Sequence, residues 1–238
     1  MSRVAVVTGG ARGLGWAIGT CLRDEGWQVV AADLVPGEAE AGETGIAYRQ
    51  MDVCDRDQVS STLAAVVAEL GSLDLLVNNA GITRHRPLVD LTWDDWSAVV
   101  DVNLHGAFRT VRRAVRGMVR ARWGRIVLMS SMTYAYGAPG QVNYGAAKAG
   151  MLGMARSLAW ELGPRNITVN VVAPGLIDTD MSREITDRRR EHLLSITPLG
   201  HSGQVEDVAA AVRYLTGDSG RYVTGAVLPV SGGLGLGG

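Results

Sequence analysis

Thr8-Gly9-Gly10-Ala11-Arg12-Gly13-Leu14-Gly15 follows the short apolar run Val4-Ala5-Val6-Val7 and leads directly into a helical pattern. A strand, a glycine-rich turn and a helix in that order make a cradle for phosphate. Glycine permits positive φ and lets backbone N–H groups approach a pyrophosphate without Cβ interference, and the helix N-terminus favours negative charge. The spacing here is Gly-x-x-x-Gly-x-Gly, not the more familiar G-x-G-x-x-G. A plain turn has similar composition, but this one lies between the first strand and the first helix, where a doubly wound sheet opens its dinucleotide crevice. Gly9, Arg12, Gly13, Leu14 and Gly15 are therefore candidate cofactor contacts.

Outward from this loop, short apolar runs alternate with longer amphipathic ones, the pattern of repeated strand–helix units on a parallel sheet. Strands are expected at 3–8, 27–32, 46–51, 73–78, 125–130, 168–173 and 226–230. Most are continuous Val, Leu, Ile and Ala, as strands covered on both faces require. Helices are expected near 14–25, 55–70, 94–121, 144–162 and 204–216, with Gly26 as a C-terminal stop and Asp55 and Asp94 as N-caps. The link from Asp33 to Ile46 is acidic and rich in breakers, with room for a turn of helix at most. Residues 131–143 and 174–203 read as irregular, with Thr186–Glu191 a polar, mobile lid. Gly232–Gly238 has the composition of a disordered tail, although its leucines could dock on a neighbouring subunit. No repeat or linker divides residues 1–238, which read as one α/β domain.

The totals exclude several classes. Of the 238 residues, 47% are hydrophobic and 20% charged, ordinary for a globular chain able to bury a core without staples. A net charge of −1 offers no electrostatic reason for nucleic acid or an anionic membrane as partner. The arginines in 109–125 read as a solvated helix face. Cys21 and Cys54 lack metal-ligand spacing and read as small, partly buried groups rather than a disulfide. No apolar run approaches the ~20 residues of a membrane span, and no leader precedes the first strand, so a cytoplasmic location is expected.

Asp33 ends the second strand, 18 residues past Gly15. A carboxylate there accepts hydrogen bonds from both adenosine ribose hydroxyls and repels a 2′-phosphate, which favours NAD(H) over NADP(H). Arg12 is the counterweight, since a guanidinium beside the loop suits a 2′-phosphate. Asp52 and Val53 would flank the adenine. Asn79, Ala80 and Gly81 would bring backbone to the cofactor with little bulk. Each of these also fits ordinary strand-end turn chemistry.

Tyr144-x-x-x-Lys148 places a phenol and an ammonium one turn apart on the same helix face. A phenol with a reference pKa of ~10 is a poor acid–base group near neutrality, and a nearby ammonium should lower it. Lys148 can also reach a nicotinamide ribose. Ser131, 13 residues upstream of Tyr144, could hold a substrate oxygen beside the phenol. Asn103 lies within an apolar helical pattern; it reads either as the anchor of a water that relays protons to Lys148 or as a satisfied core amide.

At this point the chain resembles the short-chain dehydrogenases/reductases. The motifs are TGGARGLG (8–15), DV (52–53), NNAG (78–81), Asn103, SSM (130–132), YGAAK (144–148) and APGLIDTDM (173–181), in the family's order and along essentially the whole chain. The resemblance implies a single Rossmann-like, doubly wound domain with a seven-stranded parallel sheet and helices on both faces, assembled as a dimer or, more specifically, a homotetramer. It implies that Ser131 orients the carbonyl, Tyr144 is the acid–base group, and Lys148 and Asn103 complete the relay. Pro174, Gly175, Ile177 and Thr179 fall on the nicotinamide side. Within the family the likeness is to 3-oxoacyl-[acyl-carrier-protein] reductases, through Gln141-Val142-Asn143-Tyr144, Ile167–Gly175 and Val223-Thr224-Gly225-Ala226. That adds Gln141 to Ser131 and Tyr144 as a substrate contact, and Arg122 and Arg165 as docking points for an acidic carrier protein. Two departures are Asp33, where such reductases mostly use NADP(H), and Ser231, where they usually have Asp before the last Gly-Gly.

The implied reaction is reversible carbonyl reduction of a 3-oxoacyl-carrier or 3-oxoacyl-CoA thioester. The alternatives are an NAD-dependent dehydrogenase of a small or alicyclic alcohol, and a catalytically silent dinucleotide-binding module. His85, His105, His192 and His201 are scattered and read as surface or packing residues, with no metal expected. Trp93, Trp96, Trp123 and Trp160 read as helix-packing residues, Tyr134 and Tyr136 as cleft or packing residues, and Asp178 and Asp180 as helix caps.

Overall fold

Strand runs without polar alternation must be covered on both faces, and the structure covers them. The computed structural model describes residues 2–37, 44–179, 182 and 186–236. The strands are β1 (Val4–Thr8), β2 (Gln28–Asp33), β3 (Ile46–Gln50), β4 (Leu75–Asn78), β5 (Gly124–Met129), β6 (Ile167–Pro174) and β7 (Val227–Val230). They form one parallel sheet in the order β3-β2-β1-β4-β5-β6-β7. The helices are α1 (Gly13–Asp24), α2 (Arg56–Leu70), α3 (Trp93–Val100), α4 (Gly106–Ala121), α5 (Thr133–Tyr136), α6 (Val142–Leu162), α7 (Asp187–Ser195) and α8 (Val205–Thr216).

Side chains alternate across each strand, so β1 feeds two cores. Val4 and Val6 join Leu63 of α2, Met118 of α4 and Met151 of α6 on one face. Ala5 and Val7 join Ile18 and Leu22 of α1 and Val208 and Val212 of α8 on the other. Chain order reverses between β1 and β4, where Val7 pairs with both Ala31 and Val77. That switch point opens a crevice at the carboxyl ends of the strands. Among the described residues, no helix is long and apolar enough to cross a membrane.

Several expectations fail for identifiable reasons. The long helix expected over 94–121 is interrupted by a π turn at Asp101–His105. Asn103 Nδ2 donates to the carbonyl of Val99 at 2.8 Å, the acceptor that an α pattern reserves for residue 103's own N–H, and the backbone widens there. Thr92, not Asp94, caps α3, because its hydroxyl accepts from the N–H of Asp95 at 3.0 Å. The polar stretch after Thr186 is helix α7, held by Leu193 against Leu176 and Leu234. Leu234 is therefore buried within its own chain, while Leu236 remains 80% exposed. Trp93 and Trp160 do not pack helices; they are 82% and 87% exposed. Asp178 caps no helix: it pairs with Arg190 at 2.8 Å and accepts from Ser202 and Gln204. Asp180 and residues 38–43 of the acidic link lie outside the described residues. Cys21 and Cys54 are both free thiols.

Candidate active site

The glycine loop is tied to the end of β4. Gly9 adopts φ +60°, and a Cβ there would stand 2.9 Å from the Ala80 Cα, so only glycine fits. Thr8 Oγ1 accepts from the N–H groups of Asn79 and Ala80, while Asn79 Nδ2 donates to the carbonyls of Thr8 and Gly9. Asn79 thus shapes the loop. Arg12, extended and exposed, precedes α1, and no side chain caps that helix. Gly13, Leu14 and Gly15 form its first turn, with the N-terminal dipole directed into the crevice. The cradle fits a pyrophosphate.

Asp33 stands beside it at the end of β2. Its carboxylate accepts from the N–H groups of Ala11 at 3.2 Å and Leu34 at 2.7 Å. Asp52 holds the next turn through Cys54 N at 2.8 Å, with Val53 buried behind it. On the far side of the crevice, the Pro174 carbonyl receives Met132 N, and Gly175 N bonds to the Val230 carbonyl. Ile177 is buried and bridges to Gly203. Thr179 closes a small turn with Ser182 through one backbone and three side-chain hydrogen bonds.

Between these walls lie the chemical groups. Asn143 is fully buried and anchors the start of α6: its Oδ1 accepts from Tyr144 N, and its Nδ2 donates to the carbonyls of Arg84 and Asp95. Tyr144 is half-buried, and the Ser131 hydroxyl, which donates to Thr133 Oγ1 at 3.2 Å, lies close enough to its phenol to favour the phenolate. Lys148 lies one turn further along, with Nζ 5.4 Å from the phenol ring centroid. That Nζ donates to the Met129 carbonyl at 2.7 Å, and Ser130 Oγ donates to the Lys148 carbonyl. Burial pushes the Lys148 ammonium down to about 7. Burial also pushes the Tyr144 phenol up to about 12, opposed by the Ser131 hydroxyl and assisted by Tyr136. The expected lowering of the phenol by Lys148 is absent. Desolvation dominates both groups, and it disfavours the charged form of each.

Asn103 closes the group from the π turn. Its Nδ2 is satisfied by Ile82 and Val99 carbonyls, but its fully buried Oδ1 has no partner among the described residues. A Cβ on Gly81 would stand 2.6 Å from that oxygen and 3.4 Å from Lys148 Nζ. The absence of a side chain at Gly81 therefore leaves a gap beside both polar atoms. A buried acceptor without a donor costs about 1–3 kcal/mol, so the gap suits a bridging water better than emptiness.

The structure also gathers residues that sequence reasoning passed over. Gln141, buried at the mouth, makes a 3.1 Å contact with His85 Nε2 and accepts from Arg189 Nη2 at 3.3 Å. Neither residue carries a spacing signal, because both arrive from distant loops. Arg122 and Arg165 are not brought to the crevice. They precede β5 and β6, at the amino ends of strands whose carboxyl ends carry the site. Arg122 donates to the Pro164 carbonyl there. Among the described residues, no group of three or more His, Cys, Asp or Glu could hold a metal.

A doubly wound sheet with a glycine cradle at its switch point and a Ser–Tyr–Lys–Asn group beside it defines a nicotinamide oxidoreductase. The chain belongs to the short-chain dehydrogenase/reductase family, and a family model described as Enoyl-(Acyl carrier protein) reductase matches residues 9–235. It is an NAD(P)-dependent oxidoreductase. It is 46% identical to the 3-oxoacyl-[acyl-carrier-protein] reductase FabG of Pseudomonas aeruginosa over 98% of this chain and 97% of that one. The FabG of Thermotoga maritima is 42% identical with the same coverage. The crystal structure of gox2181 superposes with a TM-score of 0.93 at 34% identity, covering 98% of this chain and 95% of that one.

Proposed function

We propose that the protein reduces the 3-oxo group of an acyl thioester, carried on acyl carrier protein or coenzyme A, to the 3-hydroxy group. The acyl-thioester substrate rests on the likeness to the two FabG reductases, and the reduction on the unpaired Asn103 Oδ1 and Lys148 Nζ on either side of Gly81, beside Tyr144 and Ser131. The glycine loop at Gly9–Gly15 and Asp33 would hold a dinucleotide, which when bound would supply the hydride for the carbonyl carbon. Ser131 holds the carbonyl oxygen and donates to it as negative charge develops. Tyr144 gives its proton to that oxygen and becomes phenolate. A phenol raised to about 12 is a reluctant donor, so the step draws on Lys148. Protonated by the relay through the gap, Lys148 stabilises the phenolate beside it. A proton from the Asn103 side then restores Tyr144.

We assign NAD(H) over NADP(H), because Asp33 would set a carboxylate against a 2′-phosphate. Gln141 and Ser131 contact the substrate. Phe108, Trp160 and Tyr222, 53%, 87% and 100% exposed, give the apolar faces that a homotetramer would cover. A cytoplasmic location accords with free cysteines. If Arg122 and Arg165 receive the carrier protein, its arm reaches the site of a neighbouring copy, since β5 alone separates those arginines from their own site by ~20 Å. A second reading, oxidation of a small or alicyclic secondary alcohol, is favoured by Asp33, because NAD⁺ suits oxidation. A paired assay of NADH and NADPH with acetoacetyl-CoA and a panel of cyclic ketones separates them. Turnover of acetoacetyl-CoA with NADH is expected; turnover confined to ketones would overturn the thioester reading, and a strong NADPH preference would overturn the use of Asp33.

A further inference from the structure

At the mouth of the crevice, a cavity of about 420 Å³ is lined by His85, Arg86, Pro87, Pro139, Gly140 and Arg189. Three of the six are basic side chains and none is acidic. Their charges are disposed differently. Arg86 is committed: its Nε pairs with Asp95 at 2.9 Å, and its backbone N–H bonds to the Gly140 carbonyl. Arg189 meets a neutral acceptor, Gln141 Oε1 at 3.3 Å, and forms no ion pair among the described residues. Its neighbour Arg190 takes the nearby carboxylate of Asp178. A guanidinium has five N–H donors in a planar fork, so among the described residues most of Arg189's donors meet no protein acceptor.

Arg189 also orders its surroundings. By requiring Oε1 of Gln141, it turns the amide so that Nε2 donates toward His85, and His85 Nε2 must then be the acceptor. Gln141 is the N-cap of α6, three residues before Tyr144 in the first turn. An oxyanion seated on Arg189 would therefore belong to a group only a few bonds from the reacting carbonyl. The phosphates of coenzyme A or a carrier arm lie more than a dozen bonds away. A carboxylate of the substrate itself fits the distance and matches the bidentate fork.

We propose that Arg189 makes this mouth a carboxylate subsite, so that the enzyme also accepts free 3-oxo acids. The inference rests on Tyr144 reducing a 3-oxo group, as proposed above. Acetoacetate and the acetoacetyl thioester of N-acetylcysteamine present the same ketone, one with a carboxylate and one neutral. Steady-state kinetics with both should show saturation by each in the native enzyme. In Arg189→Gln, kcat/KM for acetoacetate should fall at least tenfold more than kcat/KM for the thioester, whose smaller loss reports only the loosened Gln141 amide; Arg189→Lys should recover part of the acetoacetate loss. Equal losses on both substrates would make Arg189 a support for Gln141 and overturn the subsite, as would no loss on either. Turnover of the thioester alone would overturn the subsite and leave the proposed reaction standing. Turnover of acetoacetate alone, dependent on Arg189, would remove the thioester reading only. Turnover of neither would remove both.

Discussion

The two ends of the sheet each bury cationic and polar groups, and they treat them in opposite ways. At the amino end, Arg125 stacks over Trp123 with its guanidinium carbon 4.5 Å from the ring centroid, and Arg3 stacks over the same indole at 3.8 Å. Trp27 closes the stack at 6.3 Å. Arg125 Nε has no hydrogen-bond partner, but an indole face lies against the guanidinium, and Nη1 reaches the Gly124 and Asn166 carbonyls. The carboxyl end instead leaves Asn103 Oδ1 facing a gap and holds Lys148 where burial disfavours its charge. Burial disfavours the charge of Arg125 as well, but the amino end covers it with an indole face. The other keeps an incomplete set that a water, a cofactor and a substrate would complete.

If that contrast is right, the two ends should break in different assays. Lys148→Met should lower kcat/KM by about 10³-fold, within the range of general acid–base effects, without lowering Tm. Gly81→Ala should follow at roughly 10²-fold, because the added methyl would enter the gap between Asn103 and Lys148. Trp123→Ala should reverse the pattern: a stability loss of about 2 kcal/mol in chemical denaturation, with kcat/KM changed less than twofold. A Trp123 variant that loses activity while keeping its stability would erase the distinction between the ends.

Proton linkage sharpens the comparison further. With Lys148 lowered to about 7 in the fold and near 10.5 when unfolded, the unfolded chain binds more protons between those values. The Lys148 contribution to stability therefore rises with pH across that window. Tyr144, raised to about 12 from 10, works the other way above pH 10, where the folded chain holds the extra proton. The cofactor-free protein should gain stability from pH 7 to 9 relative to Lys148→Met, measured by denaturant titration at each pH. A flat difference would mean that Lys148 is not desolvated.

The strands, the glycine loop and the Tyr144–Lys148 pair were legible because each depends on local pattern: continuous apolar runs, a breaker cluster and a four-residue spacing. The π turn was not legible, since it depends on Asn103 capturing a carbonyl four residues back. Helix α7 reads as polar by composition, and only Leu193 meeting Leu176 and Leu234 from distant segments makes it pack. The same long-range contact overrides the glycine-rich composition of the chain end. The Gln141–His85–Arg189 link joins three separate segments, and no window of sequence contains it. The pH behaviour of Tyr144 was misread for a similar reason: spacing showed its lysine neighbour but not the burial they share.

The most direct test is Tyr144→Phe, assayed for turnover of an acetoacetyl thioester and, separately, for cofactor binding by quenching of tryptophan fluorescence. The phenol hydroxyl should matter to proton delivery and little to the cradle, so turnover should fall by about 10³-fold or more while cofactor affinity stays within a few-fold. Turnover near the native rate would contradict the account, because the proton would then come from some other group.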